Sequence, residues 1–274
     1  MPEIEGIETR EECLFGCHVT TVNIQTGQTA KLLGRVVGQY ITIKTPVALH
    51  ENIEIAEVGE CLAAILGRVL QPYYHGKLCI CGMGHWSVPA DALGPQTVHA
   101  LPLKFFSESR KESSFREVYA FAPGTEMTNN VHTEVIAGSV FKALQADCAL
   151  LVDSLAAHDT SRLYQTIQLS TAGGLSPHMA GRTADWSNFG IPVISIGVPV
   201  TIPLSVLSPG LETSMMLTDI HIRDIITAAS TIIAYAIMRV GWPSLSKEEC
   251  FVFAKGARDP IPYSSIFDRE NEDT

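Results

Sequence analysis

Leu78-Cys79-Ile80-Cys81-Gly82-Met83-Gly84 is a short, unbroken apolar run that stops at glycines, and Cys148-Ala149-Leu150-Leu151-Val152 is a second. Runs of this length, without alternation and separated by helical segments, read as parallel strands covered on both faces. Each leads to one aspartate. The first passes through His85-Trp86-Ser87-Val88-Pro89-Ala90 to Asp91, and the second reaches Asp153 at once. The carboxyl ends of parallel strands share one sheet edge, where open α/β folds form their ligand crevice. Asp91 and Asp153 are therefore candidates for a single acid/base site. Two carboxyls brought close cannot both ionise cheaply, so one becomes an acid beside a base. Taken singly, each has a plainer reading: Asp91 as the cap of a following helix, Asp153 as a partner of loop amides.

Working outward, residues 118–122 and 192–198 read as further strands, and 166–170 as a short extra one. Residues 18–24 and 39–44 alternate and are rich in β-branched side chains, which suits antiparallel strands at the sheet margin. Helical periodicity runs through the later part of 51–70, and through 91–103, 133–144 and 219–238. Pro95 falls in a first turn, where proline is tolerated. Residues 172–188, rich in Gly, Ser and Pro, read as a long loop, a kind often functional in compact domains. Residues 1–17 read as a loose acidic arm and 260–274 as a flexible tail. The expected fold is α/β, a three-layer sandwich with a mainly parallel central sheet and additional N-terminal strands, in one domain over 1–274.

Composition narrows the function. The 274 residues are 46% hydrophobic and 18% charged, which is globular rather than disordered. A net charge of −10 with no Lys/Arg cluster argues against an electrostatic grip on nucleic acid. Seven cysteines and no secretory leader point to reduced thiols in the cytoplasm. Cys13-x-x-x-Cys17-His18 has no second Cys/His pair at zinc spacing. The apolar stretch 225–238 is shorter than the roughly 20 residues of a membrane span, so no membrane role is expected. Gly82-Met83-Gly84 lacks the third glycine or the Gly-Lys-Ser/Thr ending of a phosphate loop, and no Gly-x-Ser-x-Gly elbow occurs. Four histidines, His85, His132, His158 and His178 in the long loop, fall near the same expected edge. With two aspartates they leave open a mixed His/carboxylate metal site.

The run Gly82-Met83-Gly84-His85-Trp86-Ser87-Val88-Pro89-Ala90-Asp91-Ala92-Leu93-Gly94-Pro95 resembles the signature of the spore germination protease family. Ala122-Pro123-Gly124, Asp153-Ser154-Leu155-Ala156-Ala157, Thr166–Ser170 and the segment from Gly190 to Pro199 continue the resemblance, which spans about residues 18–200. Members of that family are atypical aspartic endopeptidases of small acid-soluble spore proteins, with a fold similar to hydrogenase-maturation proteases. The resemblance implies that Asp91 and Asp153 are the catalytic pair, activating water on a peptide carbonyl without a covalent intermediate. Around the pair, His85, Trp86, His132, His158 and His178 are the candidates for substrate-binding or supporting residues, and no metal or other cofactor is expected. It further implies a protein substrate, a homo-oligomer of the tetramer type, zymogen control and a spore or forespore interior.

The chain also departs from the family pattern. Asn130-Val131-His132-Thr133 stands where a Gly-Ile-Glu-Thr run is usual, and Ser176–Gly181 replaces a His-Pro-Gly-Ser-Gly loop. Two other readings follow. One is a metal-dependent peptidase of the hydrogenase-maturation type with a divalent ion held by Asp91, Asp153 and His132. The other is a non-catalytic relative that binds or assembles proteins.

Overall fold

The computed structural model describes residues 5–51, 53–108, 112–175, 189–208, 210 and 213–256. In chain order the elements are β1 (Ile7–Leu14), β2 (Cys17–Ile24), α1 (Gly27–Leu32), β3 (Gly38–Lys44), α2 (Ile55–Leu70) and β4 (Lys77–Gly82). They continue with α3 (Leu93–His99), α4 (Leu103–Glu108), β5 (Glu117–Phe121), α5 (Glu126–Asn129), α6 (Thr133–Leu144) and β6 (Cys148–Ala156). The last are β7 (Thr166–Ser170), β8 (Val193–Pro203), α7 (Leu204–Leu207), β9 (Met216–Leu217), α8 (Ile222–Gly241) and α9 (Lys247–Gly256).

The strands form one sheet in the order β1-β2-β3-β7-β8-β6-β4-β5, with β9 paired to β8. Pairings β8–β6, β6–β4 and β4–β5 are parallel, and the others are antiparallel. The apolar runs of β4 and β6 supply side chains to both faces, which is why neither alternates. Leu78, Ile80, Leu150 and Val152 join the larger core with α2 and α8, while Cys79, Cys81, Ala149 and Leu151 pack with Ala137 and Phe141 of α6. Helices thus cover both faces, giving the expected three-layer α/β sandwich. From β4 the chain moves outward to β5, then returns past β4 to β6. Right-handed crossovers in opposite directions put their helices on opposite faces, so a crevice opens between the carboxyl ends of β4 and β6.

The structure corrects several expectations. Residues 7–14 are no loose arm: all eight pair antiparallel with β2. The turn is Phe15-Gly16, both at positive φ (49° and 74°), the two-residue geometry that matches strand twist. The strand lies at the sheet edge with Glu8, Arg10 and Glu11 exposed, so no hydrophobic period marks it. The helix expected over 91–103 is instead a 3₁₀ turn Pro89–Asp91, then α3, then α4. β6 and β8 run on to Ala156 and Pro203, beyond the expected 152 and 198. The stretch 225–238 belongs to α8, whose 20 residues are long and apolar enough to cross a membrane, so the length argument fails. Burial decides instead: 83% of its most apolar window is inside the protein, as in a core helix. The tail 260–274 and most of the loop 172–188 lie outside the described residues.

One polar cluster ties the helical layer together. Glu60 of α2 accepts hydrogen bonds from Tyr235 Oη at 2.6 Å and Arg239 Nε at 2.7 Å, both on α8. Arg239 Nη1 also donates to the Leu245 carbonyl at 2.8 Å, ahead of α9. Burial opposes ionisation of Glu60, but these donors outweigh it and hold its pKa below the ordinary 4.5. The stability this contributes is fully present above the ordinary 4.5 and is lost as pH falls from there through the lowered folded-state value. Glu60→Ala should cost about 3 kcal/mol at pH 7, because it strands a part-buried guanidinium. Urea unfolding at pH 7 and pH 4 checks this, with a smaller difference expected at the lower pH.

Candidate active site

β4 ends at Gly82, and Met83 N–H makes one further rung to the Val152 carbonyl of β6 at 2.8 Å. Gly84 then turns the chain at φ +113°. The loop closes on itself through Val88 N–H to His85 O (3.1 Å), Asp91 N–H to Val88 O (2.9 Å) and His85 N–H to Asp91 O (3.0 Å). Asp91 is thereby folded back over Gly84. A Cβ on Gly84 would overlap the Asp91 carbonyl oxygen and lie 3.0 Å from Asp91 Oδ1. The cap reading of Asp91 fails, since the N-cap of α3 is Ala92 and no side chain bonds the helix start. Gly84→Ala combines a positive φ with that overlap and should displace Asp91. We expect a loss of at least about 100-fold in any activity that needs Asp91, with a fall in melting temperature as well, because the atom met is backbone and cannot yield; wild-type activity in the folded variant would refute the displacement.

Asp153 does not follow its strand as expected but lies within it, paired in register with Gly197 of β8. Side chains alternate across a strand, which puts Asp153 on the α6 side with Leu151. It is only partly accessible, and its carboxyl is pushed up from 3.8 to about 7. Burial is the main cause and the neighbouring Asp91 charge the second, opposed by a backbone hydrogen bond from Ser154. Asp91 is raised as well, again by burial, with His85 pulling the other way through a backbone hydrogen bond and its charge. The two carboxyls are close enough for one to feel the other. Two neighbouring carboxyls, both of raised proton affinity, are the kind of pair that can serve as an acid beside a base.

Beside them lies an open pocket of about 430 Å³ lined by Gly84, His85, Trp86, Pro95, Val98, His99, Ala122, Gly124 and Thr128. His85 and Trp86 therefore line this pocket. The His85 ring accepts the Ser87 N–H at 3.1 Å, and the half-exposed Trp86 ring meets His99 edge-on at 5.3 Å. Pro95, Val98 and His99 line the pocket too, beyond the residues expected from the sequence. Their i, i+3, i+4 spacing puts them on one face of α3, a signal that was present in the sequence.

The other histidines fare differently. His132 precedes α6 and pairs through Nδ1 with Glu126 Oε2 at 2.9 Å. Among the described residues no three His, Cys, Asp or Glu side chains converge as a metal site, so the set Asp91, Asp153 and His132 is not assembled. His158 sits on an exposed bend five residues past Asp153, about 16 Å of extended chain away. The continuation of β6 carries it off the site. His178 lies outside the described residues.

Similarity to known proteins agrees with this geometry. The family model described as germination protease matches residues 1–209. The germination protease of Caldanaerobacter subterraneus subsp. tengcongensis is 32% identical over 210 residues, covering 73% of this chain and 64% of that protein. That of Clostridium perfringens is 30% identical over 217 residues, covering 75% and 66%. That of Bacillus subtilis is 31% identical over 212 residues, covering 73% and 57%. The chain thus spans less than two thirds of the length of these relatives. With a family model covering most of its length and a paired-carboxyl site at the sheet edge, the chain belongs to the germination protease family.

Proposed function

We propose that this protein is an endopeptidase in which Asp91 and Asp153 share the proton work of peptide hydrolysis. The observation that carries the proposal is the placement of Asp91 and Asp153 at the carboxyl ends of β4 and β6, near enough that the Asp91 charge acts on the Asp153 carboxyl. Asp91, the more acidic of the two, takes a proton from a water molecule, whose oxygen attacks the peptide carbonyl. Asp153 gives its proton to the carbonyl oxygen, forming a neutral tetrahedral diol. Collapse of the diol transfers a proton from the Asp91 carboxyl to the departing amine and returns a diol proton to Asp153. No covalent enzyme intermediate forms and the protons balance. No step is routed through a metal, because the described residues do not assemble a site for one.

The pocket shares Gly84 and His85 with the Asp91 loop, so a substrate side chain in it lies next to the scissile bond. Its lining is mainly apolar, with Trp86, Pro95, Val98 and Ala122, and it suits one large apolar side chain. The substrate is a protein, and small acid-soluble spore proteins are the class that family membership supports. All seven cysteines are free, which supports a reducing compartment such as the cytoplasm.

The test is cleavage of a small acid-soluble spore protein and of a peptide library, with product ends mapped by mass spectrometry. Cuts beside large apolar residues are expected. Trp86→Ala should lower kcat/KM on those sites by about 10-fold or more, in keeping with about 1.5–3 kcal/mol for a buried apolar side chain. Intact substrate after prolonged incubation with folded protein would defeat the proposal.

A further inference from the structure

Gly197 stands directly beside Asp153 in the parallel β6–β8 pairing. A Cβ built on it would fall 2.6 Å from Leu155 Cδ1 and Cγ and 2.9 Å from Cδ2. The Leu155 isobutyl group therefore fills the space that a side chain at position 197 would occupy. Leu155 is two residues beyond Asp153 on the same strand, and so on the same face. Adjacent strands are about 4.8 Å apart, so the space above Gly197 that Leu155 fills lies beside Asp153. Leu155 is buried, at 5% exposure.

A second feature explains why Leu155 leans this way. The β6–β8 register slips immediately after it: Leu155 pairs with Pro199 and Ala156 with Thr201, leaving Val200 as the extra residue. A bulge bends its strand and re-aims nearby side chains, and bulges recur beside active sites. On the opposite flank β4 supplies the buried Cys81, close enough to feel the Asp153 charge. Asp153 thus lies between Gly197 of β8, with Leu155 over it, and the end of β4, where Cys81 feels its charge, and Asp91 is the titratable group that acts on it.

We propose that Leu155, seated in the notch left by Gly197, is a positioning residue that holds the Asp153 carboxyl toward Asp91. Its consequence for turnover rests on the endopeptidase reading; the placement of the carboxyl does not. Gly197 has no positive φ, so Gly197→Ala changes packing rather than backbone preference. The added methyl must push Leu155 out of the notch.

Gly197→Ala should lower kcat about 10- to 100-fold while KM moves less than about twofold, as expected for a misplaced catalytic group with an intact binding pocket. Leu155→Ala should lower kcat similarly by leaving Asp153 unsupported. The double variant Gly197→Ala/Leu155→Ala refills the notch from β8 and should recover most of the loss. Unchanged kcat in both single variants, or a double variant no better than the worse single one, overturns the proposal. Crystal structures of wild type and Gly197→Ala test the placement directly, and Leu155→Ala serves if the first does not fold. A shifted Asp153 carboxyl supports the inference even if wild type cleaves nothing, in which case only the endopeptidase reading falls. A carboxyl that stays in place overturns it.

Discussion

Asp153→Asn is expected to abolish peptide cleavage and, above pH 7, to make the protein more stable. The first effect follows from chemistry: an amide neither gives nor takes a proton near neutral pH, and losing one general acid/base group costs about 10²–10⁴-fold. The second follows from linkage. The folded-state pKa of Asp153 is about 7, against 3.8 for an unperturbed carboxyl. Between those values the native state binds the extra proton, so native stability falls as pH rises through the window and stays low above it. The full shift corresponds to about 4 kcal/mol, and relaxation of the charged form brings the expected gain in Asp153→Asn at pH 8 to about 2–4 kcal/mol. At pH 4 the advantage should vanish, because the native carboxyl is then already neutral. Melting curves at pH 4 and pH 8 make the comparison. A gain independent of pH would refute the raised proton affinity, and retained cleavage would refute the two-aspartate mechanism. Asp91→Asn should also abolish cleavage while lowering the Asp153 pKa, since a like charge has been removed.

Gly94→Ala is expected to be strongly damaging for the addition of a single methyl, costing about 3 kcal/mol or more. A Cβ there would overlap the Met83 amide nitrogen and carbonyl oxygen and crowd the Val152 carbonyl, while one on Gly82 would overlap the Gly94 carbonyl. These are backbone atoms of α3, β4 and β6, so no flexible side chain can yield. The helix must lift off the sheet, breaking the Met83–Val152 rung and carrying Pro95, Val98 and His99 away from the pocket. Gly67→Ala is the matched control. It sits inside α2 with nothing closer to its Cβ than Tyr74 Oη at 3.6 Å, so helix propensity should stabilise it by about 0.5–1 kcal/mol. Urea midpoints of the two variants should move in opposite directions. Similar shifts would mean that the α3–sheet contact is looser than its backbone approach implies.

Elements with a strong internal pattern could be read from the chain. β4, β6 and the first half of β8 show as apolar runs because both their faces are covered, and α6 shows by its 3.6-residue period. β1 was misread because an edge strand with charges on it carries no burial pattern until its partner is known. The ends of β6 and β8 were misjudged because their extensions stabilise each other through pairing, which is non-local. Strand ends and motif point to Asp91 and Asp153 as neighbours, and the structure brings their carboxyls near each other with His85 and Trp86 lining the adjoining pocket. β6 runs four residues past its expected end and carries His158 along the strand away from Asp153. His99 and Val98 were missed because their relevance depends on which face of α3 the crevice takes.

The sequence by itself determined that two aspartates would reach one edge of a parallel sheet, because burial on both faces demands those apolar runs and parallel strands share an edge. It also determined the family, through the residues around each aspartate. Tertiary structure alone decided the chemistry available there. Proton affinity depends on burial and on the nearness of a second charge, and both arise from chain segments over 60 residues apart in sequence. The backbone turn at Gly84, the helix pressed onto the sheet at Gly94 and the notch at Gly197 set those distances.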